Sequence, residues 1–466
     1  MTGTLVVAVA AVLLAAGCSS HRGTTSSSTN PGGTTATTAS SASAQTFGTL
    51  ASPCGPGNAS GATDLGVTDS AIHIGYGDDR GFSQEPGLDQ EMGDAVTALI
   101  KWCNDQGGIL GRKIVGDDYD AAITQVNTVM QQACKTDFMM VGQGFALDEA
   151  AESTRLGCNL VTVPGFTVGP DVANAPEMYQ AVPNPVDYLP ASVYYEVAKL
   201  FPQAISSFDV LHTTLASATE VSYAKDVQAA AAAGWKQTNC GVTINYYGEP
   251  SYTPFAQKFQ ACGVKIIYNN LGPGPVLFGM LQANFSLGVK PIYVMETNDY
   301  TSQMSSWNTN GIGNSIYVRD AFVPLEEADI NPAVAKYLSL VKATGGKVSQ
   351  LGEQAASSFL LWATEAKACG SNLTRQCMVN DLSKVHQWTG GGLHAQTDPG
   401  NNIGPSCGML LKLTGTTFSQ AYPATRGQFD CNPEYQFKVP QSAWGTTLNS
   451  DRIATKFLSA NVIKPQ

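Results

Sequence analysis

Residues 92–115 read MGDAVTALIKWCNDQGGILGRKIV. Apolar side chains recur at helical spacing in the first half of this stretch, which predicts a helix over residues 92–104. The glycines at 107 and 108 end that helix, because glycine readily adopts the backbone conformation found just past a helix C-terminus. A strand is then predicted from residue 113. The stretch therefore predicts a helix followed by a strand, which is the repeating unit of an α/β fold.

The rest of the chain repeats this alternation in two series. The first series has predicted strands at 71–75, 113–115, 138–142 and 160–163, separated by helices at 92–104, 123–134 and 148–157. The second has strands at 207–212, 241–246, 264–268 and 291–295, with helices at 190–200, 221–234, 253–262 and 276–288. Strands that alternate with helices predict a parallel sheet covered on both faces, so the fold class is α/β with two doubly wound parallel-sheet lobes.

Composition sets limits on the class of protein. The chain has 466 residues and a net charge of −11, with 14% charged and 43% hydrophobic residues. This length suits two lobes, and the acidity argues against a nucleic-acid partner, since no basic cluster is present to neutralise phosphates. No apolar run of about 20 residues follows the N-terminal region, which excludes a polytopic membrane protein.

The N-terminus resembles a lipoprotein signal. Residues 5–16 are almost purely apolar and lead into Ala15-Ala16-Gly17-Cys18, which is similar to a bacterial lipobox and predicts a signal peptide over 1–18 with lipid on Cys18. A secretory signal cut elsewhere is the alternative. Residues 19–63 are rich in Ser, Thr and Gly and predict a disordered tether. The chain is thus expected outside the cytoplasm, anchored to the cell membrane.

The other ten cysteines predict disulfides, which also favours an extracytoplasmic location. We expect pairs close in sequence: Cys369–Cys377, Cys240–Cys262, Cys407–Cys431 and Cys103–Cys134, with Cys54–Cys158 left by elimination. No C-x-x-C is present, so metal or redox chemistry is not expected.

Ligands of open parallel sheets bind at the carboxyl ends of the strands. The loops expected there are polar and rich in glycine, and two facing sets of such loops form a cleft that can close on a small molecule. Asn269 and Asn270, which follow a predicted strand and precede Gly-Pro, are candidate ligand-binding residues on this argument.

The segment Asn104-Asp105-Gln106-Gly107-Gly108-Ile109-Leu110-Gly111-Arg112-Lys113 resembles a signature of type I periplasmic binding proteins of the branched-chain amino-acid-binding family. The resemblance extends over most of residues 66–425. It implies two α/β lobes joined by three hinge crossings, near residues 181–185, 317–321 and 395. Lobe 1 would comprise 64–183 and 319–395, lobe 2 would comprise 184–318 and 396–425, and residues 426–466 would form a C-terminal extension.

The resemblance also implies a ligand site. In that family a Ser or Thr of the first strand-to-helix loop binds the ligand carboxylate, and Ser83, beside Phe82 and Gln84, is the best counterpart. The second and third loops would contribute Gln143, Gly144 and Phe145, and Gly165, Phe166 and Thr167. Glu296 would hold an amino group, with Asp299 as its competitor. The polar residues among these could instead be helix N-caps, and the phenylalanines could be ordinary packing.

One departure concerns the ligand. Relatives usually have an acidic stretch ending in Tyr-Gly after the first strand of lobe 2, whereas this chain has TTLASAT at 213–219. The missing aromatic side chain argues against an aliphatic amino acid as the ligand.

The function implied is capture of a small amino-acid-like, amide- or carboxylate-bearing solute for the permease and ATPase subunits of an ABC importer, by a monomer without cofactor or metal. The five histidines form no metal-binding motif, and neither a G-x-S-x-G elbow nor a phosphate loop occurs, so we do not expect an enzyme. Two alternatives use the same fold: a ligand sensor of a signalling system, and a cell-surface interaction protein with a filled cleft.

Overall fold

The computed structural model describes residues 46–214 and 216–466. Its strands are β1 Thr46–Phe47, β2 Leu50–Ala51, β3 Ala71–Asp78, β4 Lys113–Asp120, β5 Met139–Val141, β6 Thr162–Val163, β7 Tyr188–Pro190, β8 Phe208–Val210, β9 His212–Thr213, β10 Thr243–Ile244, β11 Ile266–Asn269, β12 Ile292–Met295, β13 Ile316–Asp320, β14 Cys407–Thr414, β15 Thr417–Tyr422, β16 Asp430–Cys431 and β17 Gln436–Lys438.

The α-helices are α1 Gln90–Asp105, α2 Val126–Thr136, α3 Glu152–Gly157, α4 Pro170–Ala173, α5 Ser192–Leu200, α6 Ala216–Ala232, α7 Thr253–Ala261, α8 Pro275–Ser286, α9 Ser302–Trp307, α10 Pro332–Ala343, α11 Gln350–Cys369 and α12 Arg375–Leu382. Within the described residues, no helix combines the length and the apolar character needed to cross a membrane. The predicted signal peptide and Cys18 lie outside these residues.

Lobe 1 is built on a parallel sheet with the strand order β4-β3-β5-β6. The helices α1, α10 and α11 pack on one face, where Val96, Leu99 and Phe359 are buried. The helices α2 and α3 cover the other face, where Met130 and Met140 share a smaller core. Both faces of the sheet are covered, as a doubly wound lobe requires.

Lobe 2 contains a mixed sheet with the strand order β15-β14-β13-β12-β11-β8, and β16 pairs with β14. The strands β8, β11, β12 and β13 are parallel, which agrees with the sequence pattern. The strands β14, β15 and β16 add an antiparallel edge that the pattern did not predict. Separate apolar cores, one with Phe259 and Leu277 and one with Tyr194 and Trp235, cover the two faces.

Three segments connect the lobes and lie side by side. The first leads into β7, the second leaves β13, and the third leads from residue 394 to β14. The Ala395 amide donates to the carbonyl of Ala321 at 2.8 Å, and the Thr397 hydroxyl donates to the carbonyl of Ala181 at 2.7 Å. The fold is thus two α/β lobes joined by three hinge crossings.

The C-terminal residues contact both lobes. The strand β17 pairs with β7, and Trp444 is buried in a lobe 2 core. Farther along, Lys456 contacts Glu149 and Asp171 of lobe 1 at 2.8 and 2.7 Å. Residues 426–466, predicted as an extension, therefore run from lobe 2 back to lobe 1.

The glycines of the opening stretch each serve a close backbone approach. Gly108 has φ +79° and its backbone lies against the carbonyl of Arg112, while Gly111 has φ +96° and packs against Gly57. The Gly55 amide donates to the carbonyl of Gly108 at 2.7 Å. A side chain at either glycine would clash with main-chain atoms, so the motif is a docking site for the preceding segment.

That docking corrects the predicted tether. Residues 46–63 are ordered: β1 and β2 form a hairpin, and Phe47 is completely buried in the lobe 1 core. The composition of 19–63 is mostly polar and small, and its few apolar residues, such as Phe47 and Leu50, were too isolated to predict that residues 46–63 are held by backbone hydrogen bonds and a disulfide.

The disulfides confirm three predicted pairs: Cys369–Cys377, Cys240–Cys262 and Cys407–Cys431. The other two predicted pairs, Cys103–Cys134 and Cys54–Cys158, are wrong, because the chain forms Cys54–Cys103 and Cys134–Cys158 instead. Cys103 is on α1 and Cys134 is on α2, and these helices cover opposite faces of the sheet, so the two thiols cannot meet.

A buried guanidinium fixes the loops around the opening stretch. Arg112 is 1% exposed. It donates to the carbonyls of Thr68, Gly370 and Gly61 at 3.0, 3.1 and 2.9 Å. These carbonyls belong to segments far apart in the sequence, so one side chain ties the N-terminal segment to the end of α11.

We expect Arg112→Lys to lower the free energy of unfolding by about 2–4 kcal/mol, because an ammonium cannot reproduce the planar fork that reaches three separate carbonyls. Urea unfolding followed by circular dichroism measures this loss. The exposed Arg426→Lys is the matched control and should leave the midpoint unchanged; an equal midpoint for both variants would contradict the role of Arg112.

We expect the Cys54→Ser/Cys103→Ser variant to lose more stability than Cys369→Ser/Cys377→Ser. The first disulfide spans 49 residues and the second spans 8, and the loop-entropy relation gives losses of about 4 and about 2.5 kcal/mol. Unfolding under non-reducing conditions tests this order, which the reverse ranking would refute.

Candidate functional site

A cleft of about 400 Å³ lies between the lobes. Its walls include residues from the loops that follow β3 and β6 in lobe 1 and β11 and β12 in lobe 2. These loops stand at the carboxyl ends of parallel strands, where α/β sheets bind ligands, because the strand order leaves a crevice there. Both lobes therefore contribute to one site.

Six of the predicted ligand-binding residues line this cleft: Phe82, Gln84, Phe166, Thr167, Asn270 and Glu296. The other six, Ser83, Gln143, Gly144, Phe145, Gly165 and Asn269, are not part of its lining. The ligand-binding role of all twelve residues stays a prediction, and the cleft lining places six of them where a ligand could reach them.

Local structure explains why the other six residues do not line the cleft. Ser83 is exposed on a tight turn in which the Glu85 amide donates to the carbonyl of Phe82, so it points elsewhere than its neighbours. The buried Gln143 donates to the Thr162 hydroxyl. Phe145 is 2% exposed and packs in the lobe 1 core.

The remaining three predicted residues, Asn269, Gly144 and Gly165, maintain the conformation of their loops. Asn269 is completely buried and donates to Asp299 at 2.9 Å and to the carbonyl of Leu271 at 2.8 Å. Gly144 and Gly165 lie against Met92 and leave no space for a side chain. Asp299, the competitor of Glu296, is therefore committed to the loop rather than to the cleft.

Charged side chains form the lobe 2 wall. Arg319 of β13 donates to Glu296, which follows the adjacent β12, and the Tyr268 hydroxyl of β11 donates to the other oxygen of Glu296. Because these three strands are neighbours in the sheet, their side chains meet at one edge. The Tyr194 hydroxyl donates to Asp226 at 2.9 Å, which extends the network into α6.

Burial shifts the titration of this wall. Burial, followed by the charge of Glu296, raises the pKa of Asp226 to about 8. Burial lowers the pKa of Lys225, whose ammonium donates to the carbonyl of Pro185 at 2.8 Å, to about 8. Burial alone would lower the pKa of Arg319, but the charge of Glu296 raises it above its ordinary value. The wall thus holds one fixed ion pair beside two groups that titrate near neutral pH.

Amide side chains form much of the opposite wall. The Gln180 side-chain oxygen accepts from the Thr167 hydroxyl at 3.2 Å. The Gln354 side-chain amide donates to Oε1 of Gln350 at 3.3 Å. Gln350 is completely buried, and its Nε2 has no hydrogen-bond partner. Three amide oxygens of the lining also lack partners, those of Gln354, Asn270 and Asn298. Buried polar atoms without partners are costly, so these four atoms of cleft-lining residues favour a polar ligand that would supply their partners.

The sequence reasoning missed several lining residues, among them Glu85, Asp89, Lys225, Arg319 and Gln350. A signal existed for Arg319, because an arginine in the apolar strand IYVRD requires a buried partner. A weaker signal existed for Lys225 and Asp226, because these two adjacent charged residues precede a run of alanines. The sequence around Gln350 gave no signal, since the way α11 packs determines which of its side chains face the cleft.

Two clusters outside the cleft resemble reactive sites. The Ser357 hydroxyl is 2.7 Å from Nε2 of His394, but both residues are buried at the hinge, and His394 Nδ1 contacts the carbonyl of Ala395. Burial lowers the pKa of His394 to about 4. Among the described residues, the one group with metal-like spacing is Cys369, Cys377 and Asp381, and its sulfurs form a disulfide.

Comparison with known proteins agrees with this architecture. The family model described as "Periplasmic binding protein" matches residues 72–417. A search of curated proteins found no significant match.

Solved structures share the fold at low identity. A fatty acid ABC transporter substrate-binding protein from Thermomonospora curvata is 14% identical, with a TM-score of 0.64, over 81% of this chain and 97% of that protein. A branched-chain amino acid transporter substrate-binding protein from Streptococcus pneumoniae, in complex with isoleucine, is 14% identical, with a TM-score of 0.58, over 75% and 98%. A possible leucine/isoleucine/valine-binding protein from Rhodopirellula baltica is 10% identical, with a TM-score of 0.64, over 77% and 98%.

The resemblance seen in the opening stretch is thus confirmed on independent grounds. Two α/β lobes, three crossings between them, one cleft at the carboxyl ends of the strands and a family match over residues 72–417 show that the chain belongs to the periplasmic binding protein family of extracytoplasmic solute-binding proteins.

Proposed function

We propose that the chain captures a small amino-acid-like, amide- or carboxylate-bearing solute outside the cytoplasm and delivers it to the permease and ATPase subunits of an ABC importer. A lipid on Cys18 would hold it at the membrane, and it would act as a monomer without cofactor or catalysis. The observation that carries the proposal is the cleft of about 400 Å³ lined by polar groups of both lobes.

The size and lining of the cleft support a small ligand. Cavities of roughly 300–1,000 Å³ accommodate small molecules, with a few polar groups that fix orientation. Here those polar groups include buried amides without partners, which would regain hydrogen bonds only when a solute is bound. Such hydrogen bonds stabilise the solute-bound protein relative to the empty protein.

The close approach of the two lobes across the cleft supports capture by closure. Gly274 of lobe 2 lies near the carboxylate of Glu85 of lobe 1, so the two sets of loops approach each other across the cleft. A solute that touches both sets stabilises the closed form relative to an open one. Only contacts that differ between the two forms can shift that equilibrium.

The test is thermal unfolding of the oxidised full chain with amino acids, amides, short peptides, organic acids and sugars. A solute present at about 1,000 times its Kd stabilises the native state by about 4 kcal/mol, which raises the midpoint measurably. We expect one chemical class to do so. An unchanged midpoint with every class would contradict solute capture.

Gln350→Met should separate binding from stability. The substitution removes a buried donor that has no partner, but also the acceptor of the Gln354 amide, so the free energy of unfolding without solute should change by less than about 1 kcal/mol, while affinity for the solute found above should fall. Gln376→Met is the matched control, because the Gln376 amide donates to Asn380 and Lys464 outside the cleft. It should lose stability and keep affinity. Unchanged affinity in Gln350→Met would remove this residue from the site.

A further inference from the structure

We infer that the solute is an organic cation, and that its positively charged group binds at Glu85 and Asp89 of lobe 1, in the cleft that Tyr246 of lobe 2 also lines. This inference rests on the proposed solute capture by the same cleft, and it names a positively charged group, rather than an amide or a carboxylate, as the feature of the solute that the cleft recognises. It differs from the family expectation of a carboxylate held by the first loop, since Ser83 does not line the cleft.

Glu85 and Asp89 are carboxylates without a partner. Both line the cleft, and within the described residues neither accepts a hydrogen bond or forms an ion pair. Neighbouring acids have partners: Asp79 accepts from the amides of Ile123 and Ala146 at 2.6 and 2.7 Å, and one carboxylate oxygen of Asp78 contacts Arg80 at 3.1 Å. The two free carboxylates are therefore available to a ligand.

Their setting makes these carboxylates costly in the empty protein. Burial raises the pKa of Glu85 to about 7. Burial, followed by the charges of Asp79, Glu91 and Glu85, raises the pKa of Asp89 well above its ordinary value. A bound cation would offset both the desolvation and the repulsion.

The charge balance of the whole lining points the same way. Five carboxylates line the cleft, those of Glu85, Asp89, Glu91, Asp226 and Glu296. The cations of the lining are Lys225 and Arg319, which are engaged with the carbonyl of Pro185 and with Glu296. Lys347 approaches Gly87, and its charge opposes the rise that burial causes in the pKa of Glu91, but among the described residues it forms no ion pair with Glu85 or Asp89. The cleft lining thus contains more acidic side chains than basic ones.

Tyr246 supplies an aromatic surface from the other lobe. It lines the same cleft as Glu85 and Asp89. Burial, followed by the charges of those two residues, raises its pKa to about 12. Its ring is 5.5 Å from that of Tyr247. An aromatic ring beside carboxylates favours an ammonium or guanidinium group, which gains a cation–π contact with the ring.

The arrangement does not suit a metal ion. Within the described residues, no three acidic or histidine ligand atoms converge at this end of the cleft to within 4.8 Å. The cavity volume is also that of an organic molecule. The unpartnered oxygens of Gln354, Asn270 and Asn298 are acceptors for the N–H groups of an amine or a guanidinium. The buried Gln350 amide, which has a free donor, would orient the rest of the solute.

The experiment measures thermal unfolding and calorimetric binding of the full chain with five probes: agmatine and putrescine as cations, leucine and glutamine as neutral zwitterions, and glutamate as an anion. The test variant is Glu85→Gln/Asp89→Asn. The control is Asp105→Asn/Glu434→Gln, which removes two exposed carboxylates outside the cleft.

We expect a cation to stabilise the wild type, its Kd to rise about ten- to a hundred-fold in Glu85→Gln/Asp89→Asn, and no change in the control. The test variant should unfold without solute at the same or a higher temperature, since it replaces two carboxyl groups whose ionisation burial disfavours, so lost binding would not reflect misfolding. Binding of leucine, glutamine or glutamate in place of a cation would overturn the inference and leave solute capture standing.

Two further outcomes are decisive. A cation that binds the test variant as tightly as the wild type would overturn the assignment to Glu85 and Asp89. No binding of any probe would count against this inference, and if the wider solute panel also failed, solute capture itself would fall.

Discussion

Buried guanidinium groups that donate to main-chain carbonyls hold lobe 1 together. Arg112 reaches the loops at 61, 68 and 370. Arg375 donates to the carbonyls of Asp137, Phe138 and Cys158 at 2.8–2.9 Å. Arg155 pairs with Glu152 and also reaches the carbonyl of Leu160 at 3.0 Å. A chain with few charges thus uses them to satisfy loop carbonyls that would otherwise be buried without partners.

This constraint positions the functional surface. The carbonyls bound by Arg155 and Arg375 lie at the amino ends of β5 and β6, and Arg112 fixes the segment before β3. With the amino ends of the strands locked, the loops at their carboxyl ends are held in place for the cleft. The hinge is tied in the same way, since Trp388 donates to Ser357 at 2.9 Å and Ser357 contacts His394. Rigid lobes with an ordered hinge suit motion of whole bodies rather than of single loops.

The fold could be predicted from the sequence because its signals are local. A helix that ends at Gly107 and a strand that starts at Lys113 need only periodicity and glycine. Disulfides within one loop, such as Cys369–Cys377, also follow from spacing. Cys54–Cys103 could not be predicted, because it depends on a polar segment docking on α1. The site divides similarly: loops such as that of Asn270 follow from strand order, whereas Gln350 and Lys225 depend on how helices pack against the cleft.

The C-terminal residues, which run from β17 in lobe 2 to Lys456 beside Glu149 in lobe 1, add a fourth connection between the bodies, held on lobe 1 by ion pairs. A two-body protein linked only through a hinge explores a wide range of open arrangements, and a ligand must overcome that freedom when it closes the molecule. A strap anchored on both bodies removes many of those arrangements before any ligand arrives. The entropy lost on closure is smaller, so fewer contacts suffice for tight binding.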